Sequence, residues 1–159
     1  MRRAGGGYTL IELMVTVAIL AILLLAATPF ATHWVDSNRQ MQARNMVREA
    51  MSQARALALR NPDHVDSTVA AAELTLANGT LKVANVTAPT TVIWTATLPS
   101  HATVSLADAS GAALATLACV AFDNRGQRMP AATGCTTAAT ASRAAIGLNS
   151  QEPLYVDLF

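Results

Sequence analysis

The sequence predicts an α+β protein. A long N-terminal α-helix, transmembrane in its first half and amphipathic in its second, packs on a small antiparallel β-sheet or sandwich head. Three observations predict it. Leu13–Ala31 is a run of 19 residues with no charge. Beyond it, small and apolar residues recur at steps of three and four as far as Ala58. After Pro62 the composition shifts to Thr, Val, Ala and Leu in short runs, with turn residues between them.

As a helix, the uncharged run would span about 28 Å, close to the hydrocarbon core of a bilayer. Arg2 and Arg3 precede it, so the positive-inside rule leaves the N-terminus cytoplasmic. A single acid, Glu12, stands at its head, where even the mildest insertion scale charges about 2.5–3.5 kcal/mol for a carboxylate. Such a group needs a partner or a task. Thr9-Leu10-Ile11-Glu12 fits a capping box, in which hydroxyl and carboxylate satisfy each other's orphan N–H groups. Pro29 removes one helical hydrogen bond, so either a kink or the membrane exit is expected there. A cleaved signal peptide is the rival reading. It calls for a shorter apolar run without an acid at its front, and Pro29 crowds the weak cleavage site near Ala26-Ala27-Thr28.

The segment Gly7-Tyr8-Thr9-Leu10-Ile11-Glu12-Leu13-Met14-Val15 resembles the N-terminal signature of type IV pilins and of the pseudopilins of type II secretion. The resemblance covers residues 5 to about 31. It implies a leader, residues 1–7, removed by a prepilin peptidase between Gly7 and Tyr8, with N-methylation of the new amine on Tyr8. The family's usual first mature residue is Phe, and here it is Tyr. It also implies that Thr9 and Glu12 serve assembly, Glu12 meeting the amine of a neighbouring subunit. A lone buried charge costs about 3–5 kcal/mol, so such a pair penalises wrong register more than it stabilises. Type IV pilins commonly carry a proline near the place of Pro29, where part of the helix melts in the filament. The implied partners are other pilin or pseudopilin subunits through the N-terminal helix, the prepilin peptidase, an inner-membrane assembly platform and the lipid bilayer.

The expected organisation is a leader at 1–7, a transmembrane and assembly helix at 8–32, an amphipathic helix at 33–61 and a periplasmic β head at 62–159. Ala43, Val47, Ala50, Met51, Ala54, Leu57 and Ala58 build one apolar stripe, while Arg44, Arg48, Ser52 and Arg55 run down another face. His33 and Trp34 suit an interfacial anchor, and Asn61-Pro62 stops the helix. The arginines read as a solvated face. The chain has 11 basic and 10 acidic residues, and losing Arg2 and Arg3 with the leader leaves nine against ten. A dedicated nucleic-acid binder would be clearly basic.

In the head, Asn78-Gly79 between Glu73–Ala77 and Thr80–Val86 is a strong hairpin signal. Further strands are expected at Thr91–Leu98, Thr103–Ala107, Leu114–Phe122, Ala144–Leu148 and Leu154–Phe159. Asp108–Gly111 and Asp123–Gly126 read as turns and Ala131–Ala141 as a surface loop. The head is long enough for one core and not for two. Phe122-Asp123-x-x-Gly126, with the helix end Ala54-Arg55-Ala56-x-Ala58-x-Arg60-Asn61, resembles the H-type pseudopilins and the FimT/FimU-like minor pilins. That likeness implies a place in a tip complex that primes filament assembly.

Cys119 and Cys135 are the two cysteines, and export would place them in an oxidising compartment, which favours one disulfide over two buried thiols. No nucleophile elbow, phosphate loop or zinc spacing is present, so no enzyme, no cofactor and no metal is expected. His33, His64 and His101 are scattered, and Asp63-His64-Val65-Asp66 reads as a loop. Three readings stay open: a minor pilin of a type IV pilus, a pseudopilin of a secretion machine, and a pilin whose head captures DNA. For the last, Arg125, Arg128 and Arg143 are the candidate phosphate contacts.

Overall fold

Thr9 opens the single long helix and Asn61 closes it. Helix α1 spans Leu10–Arg60, 51 residues. Asn61 takes a positive φ of 43° and its N–H donates to Leu57 O and Ala58 O at 3.1 Å, a left-handed C-cap followed by Pro62. The computed structural model describes residues 7–87 and 91–158, those at 28–31 by backbone only. The first six residues of the expected leader and the last residue of the expected Leu154–Phe159 strand lie outside the described residues. α1 is helical through Pro29.

The chain falls into two units, divided after Val35. In the first, every side chain described from Tyr8 to Leu25 is exposed. The helix is long and apolar enough to cross a membrane. In the second, all seven residues of the expected stripe, from Ala43 to Ala58, are buried. The stripe is rich in alanine, which lets the helix backbone approach the sheets closely.

The head carries eleven strands among the described residues, in two main sheets. The first sheet has the order β3-β2-β1-β6-β7, from Val92–Thr97, Thr80–Asn85, Ala72–Ala77, Cys119–Phe122 and Arg128–Met129. The second has the order β11-β10-β4-β5, from Leu154–Asp157, Arg143–Leu148, Ala102–Ala107 and Ala113–Thr116. A small hairpin joins β8 (Ala131–Ala132) to β9 (Cys135–Thr136). All pairings are antiparallel. Leu74, Leu81, Val120 and Phe122 of the first sheet share one hydrophobic cluster with Val104, Leu106, Ile146 and Val156 of the second and with the α1 stripe.

Polar contacts add direction to this packing. Gln40 is buried, and its Nε2 donates to Ile146 O at 2.9 Å and to Glu152 O at 2.6 Å. Arg44 Nε donates to Tyr155 O at 3.2 Å, and Asn149 Nδ2 to Asp36 Oδ2 at 2.9 Å. At the far end of the helix, the Arg55 guanidinium lies 5.6 Å from the centroid of the Phe122 ring.

Two expectations need correction. Leu114–Phe122 is two strands: β5 ends at Thr116 on β4, and β6 begins at Cys119 on β1. At the crossing, Leu117 N–H donates to Val104 O in one sheet and Ala118 O accepts from Leu76 N–H in the other. Nothing local marks the break, because the apolar run is continuous and hydrogen bonding to two sheets makes it. Ala131–Ala141 is also more than a surface loop, since it contains the β8–β9 hairpin and buries Cys135 and Ala141.

The Asn78-Gly79 turn is as expected, with both residues at positive φ (50° and 71°) and Ala77 paired to Thr80. A Cβ on Gly79 would meet nothing within 4 Å, so a side chain there costs only backbone strain. Gly79→Ala should therefore lower stability by about 1 kcal/mol, as for any L-residue forced left-handed, read from chemical denaturation of the protein.

Candidate functional site

The N-terminal site is built by one residue just outside the helix and one in its first turn. Thr9 lies just before α1, where its hydroxyl oxygen accepts the Glu12 N–H at 3.3 Å and its carbonyl accepts the Leu13 N–H at 3.2 Å. This is the Thr half of the capping box read from Thr9-Leu10-Ile11-Glu12. Glu12 sits in the first turn, exposed, where the positive end of the helix dipole favours a carboxylate. Tyr8, 85% exposed, and Gly7 precede the helix as chain that a processing enzyme could reach. Chemically the arrangement offers an accessible peptide bond and, about one helical turn away, an acid surrounded by exposed Leu10, Ile11, Leu13 and Met14.

A second constellation joins segments distant along the chain. The Asp123 carboxylate organises the turn after β6, its Oδ1 accepting from Arg125 N–H at 2.9 Å and Gln127 N–H at 2.8 Å. Gly126 takes φ 72° in that turn. Asn124 Nδ2 donates to Val65 O at 3.0 Å, and Asn61 Nδ2 donates to the same oxygen at 2.8 Å. Asn61 Oδ1 in turn accepts the Val65 N–H at 2.9 Å. The helix end and the Phe122-Asp123-x-x-Gly126 turn, separate in the sequence, thus meet at Val65 and again where Arg55 covers Phe122.

Residues 2–28 match the family model of the prokaryotic N-terminal methylation motif. The match takes in the Gly7–Tyr8 junction, Glu12 and most of the uncharged run. The match is confined to the N-terminal segment, and the motif it describes is of the type IV pilin-like and pseudopilin kind. The apolar helix together with the motif fits anchoring in an inner membrane. No curated protein and no solved structure matches the chain.

In the head, Cys119 and Cys135 form a disulfide, with Cα atoms 5.7 Å apart. Strand β6 is buried on both faces: Val120 and Phe122 enter the main core, while Cys119 and Ala121 join Ala70 and Cys135 in a second cluster. Glu73 pairs with Ala121 across β1 and β6 and brings its carboxylate within 4.8 Å of both sulfurs. The three groups have metal-ligand proximity, but the sulfurs are bonded to each other and hold no lone thiolate.

The arginines Arg125, Arg128 and Arg143 are not gathered into one grip. Arg128, on β7, turns back into the head and donates to Thr137 Oγ1 and Ala138 O at 3.2 Å and to Ala139 O at 3.0 Å. It ties the segment after β9 to the first sheet. Arg143 belongs to the second sheet, where its Nε pairs with Asp157 at 3.3 Å and its guanidinium lies 5.9 Å from the Tyr155 ring centroid. Arg125 stands in the Asp123 turn. Sequence reasoning had no means of finding the task of Arg128, because its acceptors are a hydroxyl and main-chain carbonyls placed by the hairpin and disulfide.

Alkylation without reductant should label neither Cys119 nor Cys135, and reduction should lower stability by about 3 kcal/mol for a loop of this size. Burial raises the Glu73 carboxyl above the ordinary glutamate range. Its ionisation therefore opposes folding: the cost is absent below the unfolded-state value and grows as pH rises through the higher folded-state one. Stability should fall over that interval, and Glu73→Gln should flatten the fall and stabilise the protein at neutral pH, as seen in denaturation curves taken across pH.

Proposed function

We propose that this protein is a minor pilin, a structural subunit of a type IV pilus that helps to initiate or organise the fibre at its tip. The observation that carries the reading is the methylation motif on a helix whose apolar side chains, from Leu10 to Leu25, are all exposed. An apolar surface of that length is unfit for water and calls for lipid or sister helices around it. A leader cut at Gly7–Tyr8 and a methylated Tyr8 amine would let the subunit leave the bilayer for a bundle of like helices. In that bundle Glu12 supplies the one charge able to fix axial register, through the amine of a neighbouring chain. Pro29, where an interior helical hydrogen bond is missing, gives the packed helix a place to loosen. In the membrane-inserted form the N-terminus is cytoplasmic and the head periplasmic, the orientation that Arg2 and Arg3 favour.

The choice of a minor over a major subunit rests on the junction of the helix end with the Phe122–Gly126 turn at Val65. Those two segments carry the likeness to FimT/FimU-like minor pilins. The same segments are shared by H-type pseudopilins, so a pseudopilus subunit of a type II secretion system is the second reading. Neighbouring genes for a retraction motor and tip adhesin would favour the first, and a secretin operon the second.

Glu12→Val should leave the protein membrane-inserted and processed, yet absent from sheared filaments. Mass spectrometry of the membrane-extracted chain should find Tyr8 at the N-terminus carrying one methyl group. Incorporation of the Glu12→Val protein at the normal level would remove the register role, and an N-terminus elsewhere would remove the pilin reading.

A further inference from the structure

Arg44, Arg48 and Arg55 stand on one flank of α1 beside β11, around an open cavity of about 390 Å³ that also takes in Ser52, Tyr155 and Asp157. Along the helix axis Arg44 and Arg48 are about 6 Å apart, and Arg55 lies about 10 Å further on. The acid facing them, Asp157, is already paired with Arg143 Nε at 3.3 Å. The groove is therefore strongly positive.

The three arginines differ in how far the protein satisfies them. Arg44 spends its Nε on the Tyr155 carbonyl at 3.2 Å, which steadies its guanidinium on the groove wall. Arg55 lies over Phe122, and its Nε is buried with no hydrogen-bond partner among the described residues. Arg48 is exposed and makes no ion pair among the described residues. Ser52, one turn beyond Arg48, also lines the groove, its hydroxyl donating back to Arg48 O at 3.1 Å.

We propose that this groove binds phosphate oxyanions, carried on a nucleic-acid strand or free in solution. Guanidinium forks match the oxygen geometry of both phosphate and carboxylate. One further fact favours phosphate. Its non-bridging oxygens point in several directions, so one group can bridge cations on successive helical turns, whereas a planar carboxylate fills one fork. The groove is distinct from the Arg125, Arg128 and Arg143 set, two of which are engaged within the head.

The test uses the full chain in detergent, with a labelled single-stranded deoxythymidine oligonucleotide, inorganic phosphate and a polyglutamate peptide as separate probes. The oligonucleotide should bind, and its affinity should fall with salt. Arg48→Glu and, independently, Arg44→Gln should each weaken binding about tenfold and reduce the salt slope by about 0.7 for each phosphate that the variant no longer reaches. Arg125→Gln should leave binding unchanged. Arg48 is exposed, so its variant should melt as the parent does, and Arg44→Gln carries the test if it does not. Binding of phosphate alone, with the same dependence on Arg48 and Arg44, supports the site with free phosphate as its source. The proposal is overturned if neither phosphate probe binds, if the variants bind as the parent does, or if polyglutamate binds more tightly than the oligonucleotide with the same dependence on Arg48.

Discussion

The burial of one flank of α1, from Gln40 to Ala58, is the constraint on which the rest of the head depends. Four of the buried positions, Ala43, Ala50, Ala54 and Ala58, are alanines with no exposed surface. Two sheets contribute to the same cluster, so the helix serves as the common wall of a core that neither sheet could close alone. A stripe of small side chains leaves little room for sliding. Gln40 removes the remaining freedom, because its buried amide must find the carbonyls of Ile146 and Glu152 or go unsatisfied.

That flank also orients everything at its edges. Fixing α1 on the second sheet through Gln40 and Arg44 sets Arg48, Ser52 and Arg55 along β11 as one basic groove. Fixing it on the first sheet through Arg55 and Phe122 brings the helix end to the Asp123 turn, where Asn61 and Asn124 share the Val65 carbonyl. The disulfide acts on the opposite face of β6. It draws the β8–β9 hairpin over Cys119 and Ala121, and the resulting burial raises the Glu73 carboxyl. Residues that look unrelated along the chain are therefore coupled through two faces of one four-residue strand.

The first half of α1 obeys a different logic. From Leu10 to Leu25 its apolar side chains are exposed on all sides, a pattern suited to lipid or to a bundle of like helices and poorly suited to water. In such surroundings one carboxylate has disproportionate influence, because placing it wrongly costs more than placing any apolar side chain wrongly. Thr9 and Glu12 are near enough in sequence to organise the helix start without help from the rest of the molecule.

Features governed by neighbouring residues were legible in the chain itself. The uncharged run, the Thr9 cap, the Asn61-Pro62 stop, the alanine-rich stripe, the Asn78-Gly79 hairpin and the Asp123 turn each depend on contacts within a few residues or on a simple period. What sequence could not show was decided by partners far away. The break between β5 and β6 exists because Leu117 and Ala118 bond to different sheets, and no local residue marks it. The hairpin in Ala131–Ala141 is held against β6 by the disulfide, and Arg128 is committed to carbonyls that this hairpin brings near. The basic groove is the same kind of case: spacing alone put Arg44, Arg48 and Arg55 on one face, but only packing against β11 closed a cavity around them. Local periodicity and capping are written in adjacent residues. The choice of sheet, the burial of a polar group and the walls of a cavity arise from contacts between distant ones, which folding alone brings together.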